Sequence, residues 1–135
     1  VIVIDSSFLV AYHNTRDAHH EAAAEIMARF LDGEWGRGLL LEYVFLEVAT
    51  VLMARRGPEV AGEVADVLLG ARELKLVPCT ELFIEACETF RRQKKSRLSF
   101  VDVTIANVAR HRAEGRVATF DRELAGIRGI KAVPP

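Results

Sequence analysis

The sequence predicts an α/β domain built on a parallel sheet, and three observations predict it. Short apolar runs recur along the chain, at Val1 to Ile4, Leu39 to Leu41, Leu74 to Pro78, Val117 to Phe120 and Lys131 to Val133. Most of them are separated by segments with the length and periodicity of helices, and strand–helix alternation at this spacing is the signature of parallel β-α units. No change of composition, internal repeat or low-complexity tract divides the 135 residues. One domain spanning residues 1–135 is therefore expected, long enough to bury roughly two thirds of its unfolded surface.

Val1 to Ile4 is rich in β-branched residues and stops at Asp5-Ser6-Ser7, a strand entering a turn with Ser6 or Ser7 as helix cap. Phe8 to Tyr12 makes a brief helix. A longer one starts near Asp17, the expected cap, and carries His19, Ala23, Ile26, Met27 and Phe30 as its stripe until Gly33, Gly36 and Gly38 break the pattern. Leu39 to Leu41 leads into the helix EYVFLEVATVLMARR, which stops before Gly57-Pro58. An amphipathic helix from about Glu59 presents Val60, Val64, Val67 and Leu68. After the third strand Thr80 caps a helix with Leu82, Phe83, Ala86 and Phe90 on one side. Ser99 caps FVDVTIANVARHRAEG, which Gly115 ends; Val117 to Phe120 stops at Asp121, and a DRELAG turn precedes the last strand.

Half the residues are apolar and 27% are charged, an ordinary globular composition. Cys79 and Cys87 form neither a disulfide framework nor a CxxC metal site and read as small hydrophobes in a reducing compartment, with a bridge between them as the alternative. No apolar run approaches the ~18 residues of a membrane span. VIVIDSSFLV lacks a basic leader and carries an acid in its middle, unlike a signal peptide. A cytoplasmic protein with no membrane partner is expected. The net charge of -1 leaves any nucleic-acid contact to local fields. One such field is Arg91, Arg92, Lys94, Lys95 and Arg97 in the run RRQKKSR, read either as a solvated helix end or as a phosphate-binding patch near Asp102.

Four acids stand in improbable surroundings. Glu47 is the only charged residue from Tyr43 to Ala54, so its face turns inward or lines a cleft. Asp102 is alone between Leu98 and Ala109. Asp5 and Asp121 each follow an apolar strand directly, and open parallel sheets bind ligands beyond the carboxyl ends of their strands. Taken singly, each has a bland role: helix caps for Asp5 and Asp121, an ion pair with Arg55 or Arg56 for Glu47, a bond to Asn107 or a turn amide for Asp102. Taken together, they suggest a shared site. Clustered carboxylates repel one another, and a hard divalent ion with oxygen ligands resolves the conflict. Mg²⁺ or Mn²⁺ in such a place activates water for attack on phosphorus. The four histidines lack the spacing of a standard zinc site, and no GxxxxGK or GxGxxG loop follows a strand.

These segments, in this order, resemble the PIN-domain nucleases, and among them the VapC-type ribonuclease toxins of toxin–antitoxin pairs. VIVIDSSFLVAY matches the family's first acid at Asp5 and its following hydroxyl at Ser6. LEYVFLEVATVLMARR places the helix acid at Glu47, SFVDVTIANVA the third acid at Asp102, and VATFDREL the fourth at Asp121. A D-x-H pair that often opens the second helix falls on Asp17 and His19 and reads as structural. The resemblance implies a three-layer sandwich, a five-stranded parallel sheet with helices on both faces. It also implies Mg²⁺- or Mn²⁺-dependent cleavage of RNA, a homodimer, and silencing by a small VapB-like antitoxin.

On this reading Asp5, Glu47, Asp102 and Asp121 are both catalytic and metal-holding. Ser6, Asn107 and Thr119 orient water or a phosphate oxygen, and the basic run holds the RNA backbone. Three other readings stay open. A phosphatase of the haloacid dehalogenase type also places an Asp after its first strand, but normally has a second acid where Ser7 stands. A binding module would use the acids to hold a structural cation or an antitoxin's arginines. A housekeeping RNA-processing nuclease would share the chemistry without the toxin role.

Overall fold

The first apolar run becomes the centre of the molecule. In the computed structural model, which describes residues 1–135, β1 (Ile2–Ile4) is the middle strand of a five-stranded sheet ordered β3-β2-β1-β4-β5. Its companions are β2 (Gly38–Leu41), β3 (Leu74–Val77), β4 (Arg116–Ala118) and β5 (Lys131–Val133), and every neighbouring pair is parallel. Ile2, Val3 and Ile4 are all buried, as an unbroken apolar run requires when both faces of a strand are covered. The edge strands instead expose Lys75 and Lys131, charges that discourage pairing with a second chain.

Helices α1 (Ser6–His13) and α2 (His20–Leu31) join β1 to β2, while α3 (Glu42–Arg56) and α4 (Pro58–Gly70) join β2 to β3. A 3₁₀ turn (Thr80–Leu82), α5 (Phe83–Arg91) and α6 (Phe100–Arg112) carry the chain from β3 across to β4, and α7 (Arg122–Ala125) links β4 to β5. The chain thus steps outward from β1 to β3, then returns to the far side of β1. Because parallel crossovers are right-handed, this reversal sends helices to both faces of the sheet. Helices α1 to α4 pack on one another, α5 packs on α6, and α6 lies over β1 and β4. The core runs through Phe8, Leu9, Leu40, Leu41, Val44, Val48, Leu52, Ile105 and Leu124, all almost completely buried. None of the helices is long and apolar enough to cross a membrane.

The expected fold class and the five strands are present; several local details differ. Ser99 caps α6 with a full capping box: its Oγ accepts the Asp102 amide at 3.0 Å while the Asp102 carboxylate accepts the Ser99 amide at 3.2 Å. Ser6 and Ser7 are not caps, since Asp5 holds the cap position of α1 and both serines lie in the first turn. Asp17 accepts the His19 amide at 2.8 Å but leaves the cap position of α2 to His19. Thr80 opens the 3₁₀ turn without a capping bond. Val67, Phe83 and Phe90, expected on buried stripes, are exposed, and so is His19. Burial pushes the Cys79 thiol up, in keeping with a core side chain. Past the end of α6, Gly115 adopts φ +82°, and a Cβ there would sit 2.0 Å from the Gly129 carbonyl oxygen. That backbone approach is open only to glycine.

Candidate active site at the strand crossover

Between β1 and β4 the order of the sheet reverses, and crossovers leaving in opposite directions open a crevice at the carboxyl ends of these strands. Asp5 follows β1, and Thr119, Phe120 and Asp121 follow β4, so the two sides of the crevice come from opposite ends of the chain. Asp5 is only 4% exposed. Its Oδ2 accepts hydrogen bonds from Thr119 Oγ1 at 2.7 Å and Ser7 Oγ at 2.8 Å. Ser7 Oγ also accepts the Phe120 amide at 2.9 Å, and Thr119 Oγ1 accepts the Asp121 amide at 2.9 Å. Two hydroxyls therefore join the strand ends and satisfy a carboxylate that burial would otherwise penalise.

The other acids lie at the same end of the sheet. Asp102, in the first turn of α6, is half-buried, and burial first, then the charges of Asp121 and Asp5, push its carboxyl above the usual range. Hydrogen bonding to Ser99 opposes that shift. Asp121 caps α7, its Oδ1 accepting the amides of Glu123 at 2.9 Å and Leu124 at 3.3 Å. Glu47 accepts a hydrogen bond from Ser6 Oγ and makes no ion pair with Arg55 or Arg56. It is exposed and lines a hollow of about 280 Å³ together with Ser6, Ser7, His19, Arg55 and Phe120. Thus Glu47 faces a cleft, whereas Asp102 and Asp121 combine capping with a place at the crevice.

The expected tight convergence of four acids on one ion is not what the side chains do. No three Asp, Glu, His or Cys side chains are placed to share an ion, and each carboxylate is held by its own hydroxyl or amide donors. What they share is one end of the sheet, with Asp102 in electrostatic reach of both Asp5 and Asp121. Of the expected supporting residues, Thr119 and Ser6 touch the acids directly. Asn107 does not: its Nδ2 donates to Thr89 Oγ1 at 3.1 Å, tying α6 to α5, because it points away from the crevice along the same helix.

The basic run divides. Lys95 and Arg97 line a second hollow, of about 590 Å³, with Arg122 and Arg128 from the opposite wall, while Arg91, Arg92 and Lys94 lie exposed outside it. Gln93 closes the loop by exchanging hydrogen bonds with the backbone of Leu98. None of these cations is in an ion pair. Sequence reasoning missed Arg122, Arg128 and the bridging role of Ser7. Arg122 had a signal, since it directly follows Asp121; Arg128 had none.

Curated proteins give no match to this sequence. Among solved structures, the chain is similar to VapC20 of Mycobacterium tuberculosis, described as a toxin that cleaves the sarcin–ricin loop. The two are 26% identical with a TM-score of 0.83, over 97% of this chain and 99% of that one. PAE2754 from Pyrobaculum aerophilum is 22% identical with a TM-score of 0.58, over 98% of this chain and 83% of that one, a likeness of fold alone. The profile of the PIN domain matches residues 2–130. With a match over nearly the whole length, the chain belongs to the PIN domain family.

Proposed function

We propose that this protein is a metal-dependent endoribonuclease acting as the cytoplasmic toxin of a toxin–antitoxin pair, with residues 1–135 working as one domain. The observation that carries the reading is the gathering of acids at one end of the sheet: Asp5 buried after β1, Asp121 following β4, and Asp102 at the start of α6 within electrostatic reach of both. Membership of the PIN domain family and the likeness to a toxin that cleaves RNA support it.

The donor set fits a hard divalent ion. Around Asp5 the crevice offers the hydroxyls of Ser7 and Thr119 and the carboxylates of Asp102 and Asp121, the oxygen ligand chemistry suited to Mg²⁺ or Mn²⁺. Asp5, Glu47, Asp102 and Asp121 are the residues we assign to hold it, which requires carboxylates now bonded to separate hydroxyls and amides to turn toward one another on binding. When bound, such an ion supplies charge stabilisation and activates water at phosphorus. The protein's own part is orientation. Thr119 and Ser7 fix the Asp5 carboxylate, Ser6 steers Glu47, and the amides at the start of α7 fix Asp121. Lys95, Arg97, Arg122 and Arg128 hold RNA phosphates in the adjacent hollow without reading sequence.

The partners follow from the same reading: RNA, a small VapB-like antitoxin, and a second copy of the chain. An exposed apolar patch made by Tyr43, Leu46, Phe83 and Phe90 around Phe100 supports self-association. The test is cleavage of total RNA, and of an isolated sarcin–ricin loop RNA, with Mg²⁺, Mn²⁺ or EDTA. Discrete metal-dependent cuts by the wild type, absent with Asp5→Asn, are expected. Equal cutting by the folded Asp5→Asn variant would overturn the assignment.

A further inference from the structure

The hollow beside Glu47 contains a feature that acid chemistry does not use. Phe8, in the core, stacks on Phe120 with ring centroids 6.2 Å apart and planes 16° apart. Phe120 in turn stacks on His19 at 4.5 Å and 8°. Three nearly parallel rings therefore rise from the buried core, through a half-buried phenylalanine, to an exposed imidazole at the surface. The column ends in the hollow that Ser6, Ser7 and Glu47 also line.

Its members are held from several directions. Asp17 accepts the His19 amide, Asn14 accepts the Arg16 amide at 3.1 Å and Arg56 Nη1 at 3.1 Å, and His20 Nδ1 bonds the Ala11 carbonyl oxygen at 2.9 Å. The turn carrying His19 is thereby fixed to α1 and α3. Phe120 is fixed by Ser7, the same hydroxyl that donates to Asp5. The outermost ring thus stands one side chain and one shared hydroxyl from the buried carboxylate. Arg55 lines the same hollow and makes no ion pair.

A flat ring exposed at the end of a rigid aromatic column is a stacking surface for another flat ring, and unpaired nucleobases stack on aromatic side chains regardless of sequence. We propose that His19, backed by Phe120, is a binding platform for an unpaired base of the RNA next to the phosphate brought to Asp5, with Arg55 available to that nucleotide's phosphate. This rests on the ribonuclease reading above for its ligand. It goes beyond that reading by assigning a subsite and by predicting that the strand is single, with one base splayed out, where it enters the site.

The test uses single-stranded oligoribonucleotides carrying one 2-aminopurine, moved through successive positions and titrated with protein in EDTA. Wild-type protein is expected to quench the fluorescence at one register, as stacking does. His19→Ala should lose that quench and bind roughly ten-fold more weakly, the scale of one base–aromatic contact. His19→Phe should restore both, which separates a ring surface from an imidazole-specific role and covers any folding defect of the alanine variant. An abasic nucleotide at the quenched register should cost the wild type a similar factor and cost His19→Ala nothing. Equal affinities and quenching for wild type and His19→Ala would overturn the platform. Cleavage by the wild type in a parallel Mg²⁺ or Mn²⁺ reaction would then leave the nuclease reading intact. Quenching at one register without any cleavage would uphold the platform and remove the nuclease reading.

Discussion

Replacing Thr119 by valine should weaken the whole domain, because its hydroxyl is the joint between the two ends of the chain. Valine keeps the shape and removes the oxygen. The hydroxyl donates to Asp5 Oδ2 at 2.7 Å and accepts the Asp121 amide at 2.9 Å, and Thr119 is only 2% exposed. A hydrogen bond to a charged group is worth about 1.5–3 kcal/mol, and a buried amide left without a partner costs about 1–3 kcal/mol. Ser7 Oγ stays 2.8 Å from the same carboxylate oxygen and takes up part of the loss. The expected destabilisation is therefore about 2–4 kcal/mol, read as a lower midpoint in urea with an unchanged slope. Thr119→Ser keeps the oxygen and should lose only about 1 kcal/mol, the value of a buried methyl group. If Thr119→Val unfolds at the same urea concentration as the wild type, the hydroxyl does not join the strands.

Other expectations can be checked on the same material. Gly115→Ala should destabilise by at least about 2 kcal/mol in urea titration, because it meets both a positive φ and the Gly129 carbonyl oxygen; unchanged stability would contradict that approach. Burial lowers the pKa of His13 below its ordinary 6.5, so the unfolded chain takes up the proton first as the solution is acidified. That contribution to stability is present above pH 6.5 and is lost as pH falls through the depressed value, and His13→Gln should flatten the fall in urea midpoint between neutral pH and mild acid. Reversing charge in the basic hollow with Arg122→Glu and Arg128→Glu should weaken RNA binding alike for all sequences and reduce its salt dependence, as lost phosphate contacts do. An unaltered salt slope would place the RNA elsewhere.

Most of the fold was legible because its causes are local. Ile2 to Ile4 is apolar without alternation because both its faces are covered, and Gly57-Pro58 divides α3 from α4 by backbone chemistry alone. The capping box at Ser99 was equally readable, since both partners lie within four residues. Side chains whose partners are distant in sequence were not. Ser6 looks like a cap until Glu47, on another helix, is seen to take its hydroxyl. Ser7 looks like another until β4 is placed beside β1. Phe83 and Phe90 fit a helical stripe with Leu82 and Ala86, yet of these Ala86 alone is fully buried, and the two phenylalanines lie exposed around Phe100. The four acids were visible through their apolar surroundings, but whether they meet at one point depends on side-chain directions that spacing does not encode. Asn107 illustrates this: five residues along the helix from Asp102, it turns toward α5.

In the proposed function, acids from both ends of the chain serve divalent metal at the β1–β4 crossover. Titration of Mn²⁺ into the folded wild type and into Asp5→Asn, Asp102→Asn and Asp121→Asn, followed by calorimetry or by the Mn²⁺ resonance signal, tests it directly. A saturable site is expected in the wild type, weakened by an order of magnitude or more by each substitution alone. Binding that is absent from the wild type, or that survives all three substitutions unchanged, would contradict it.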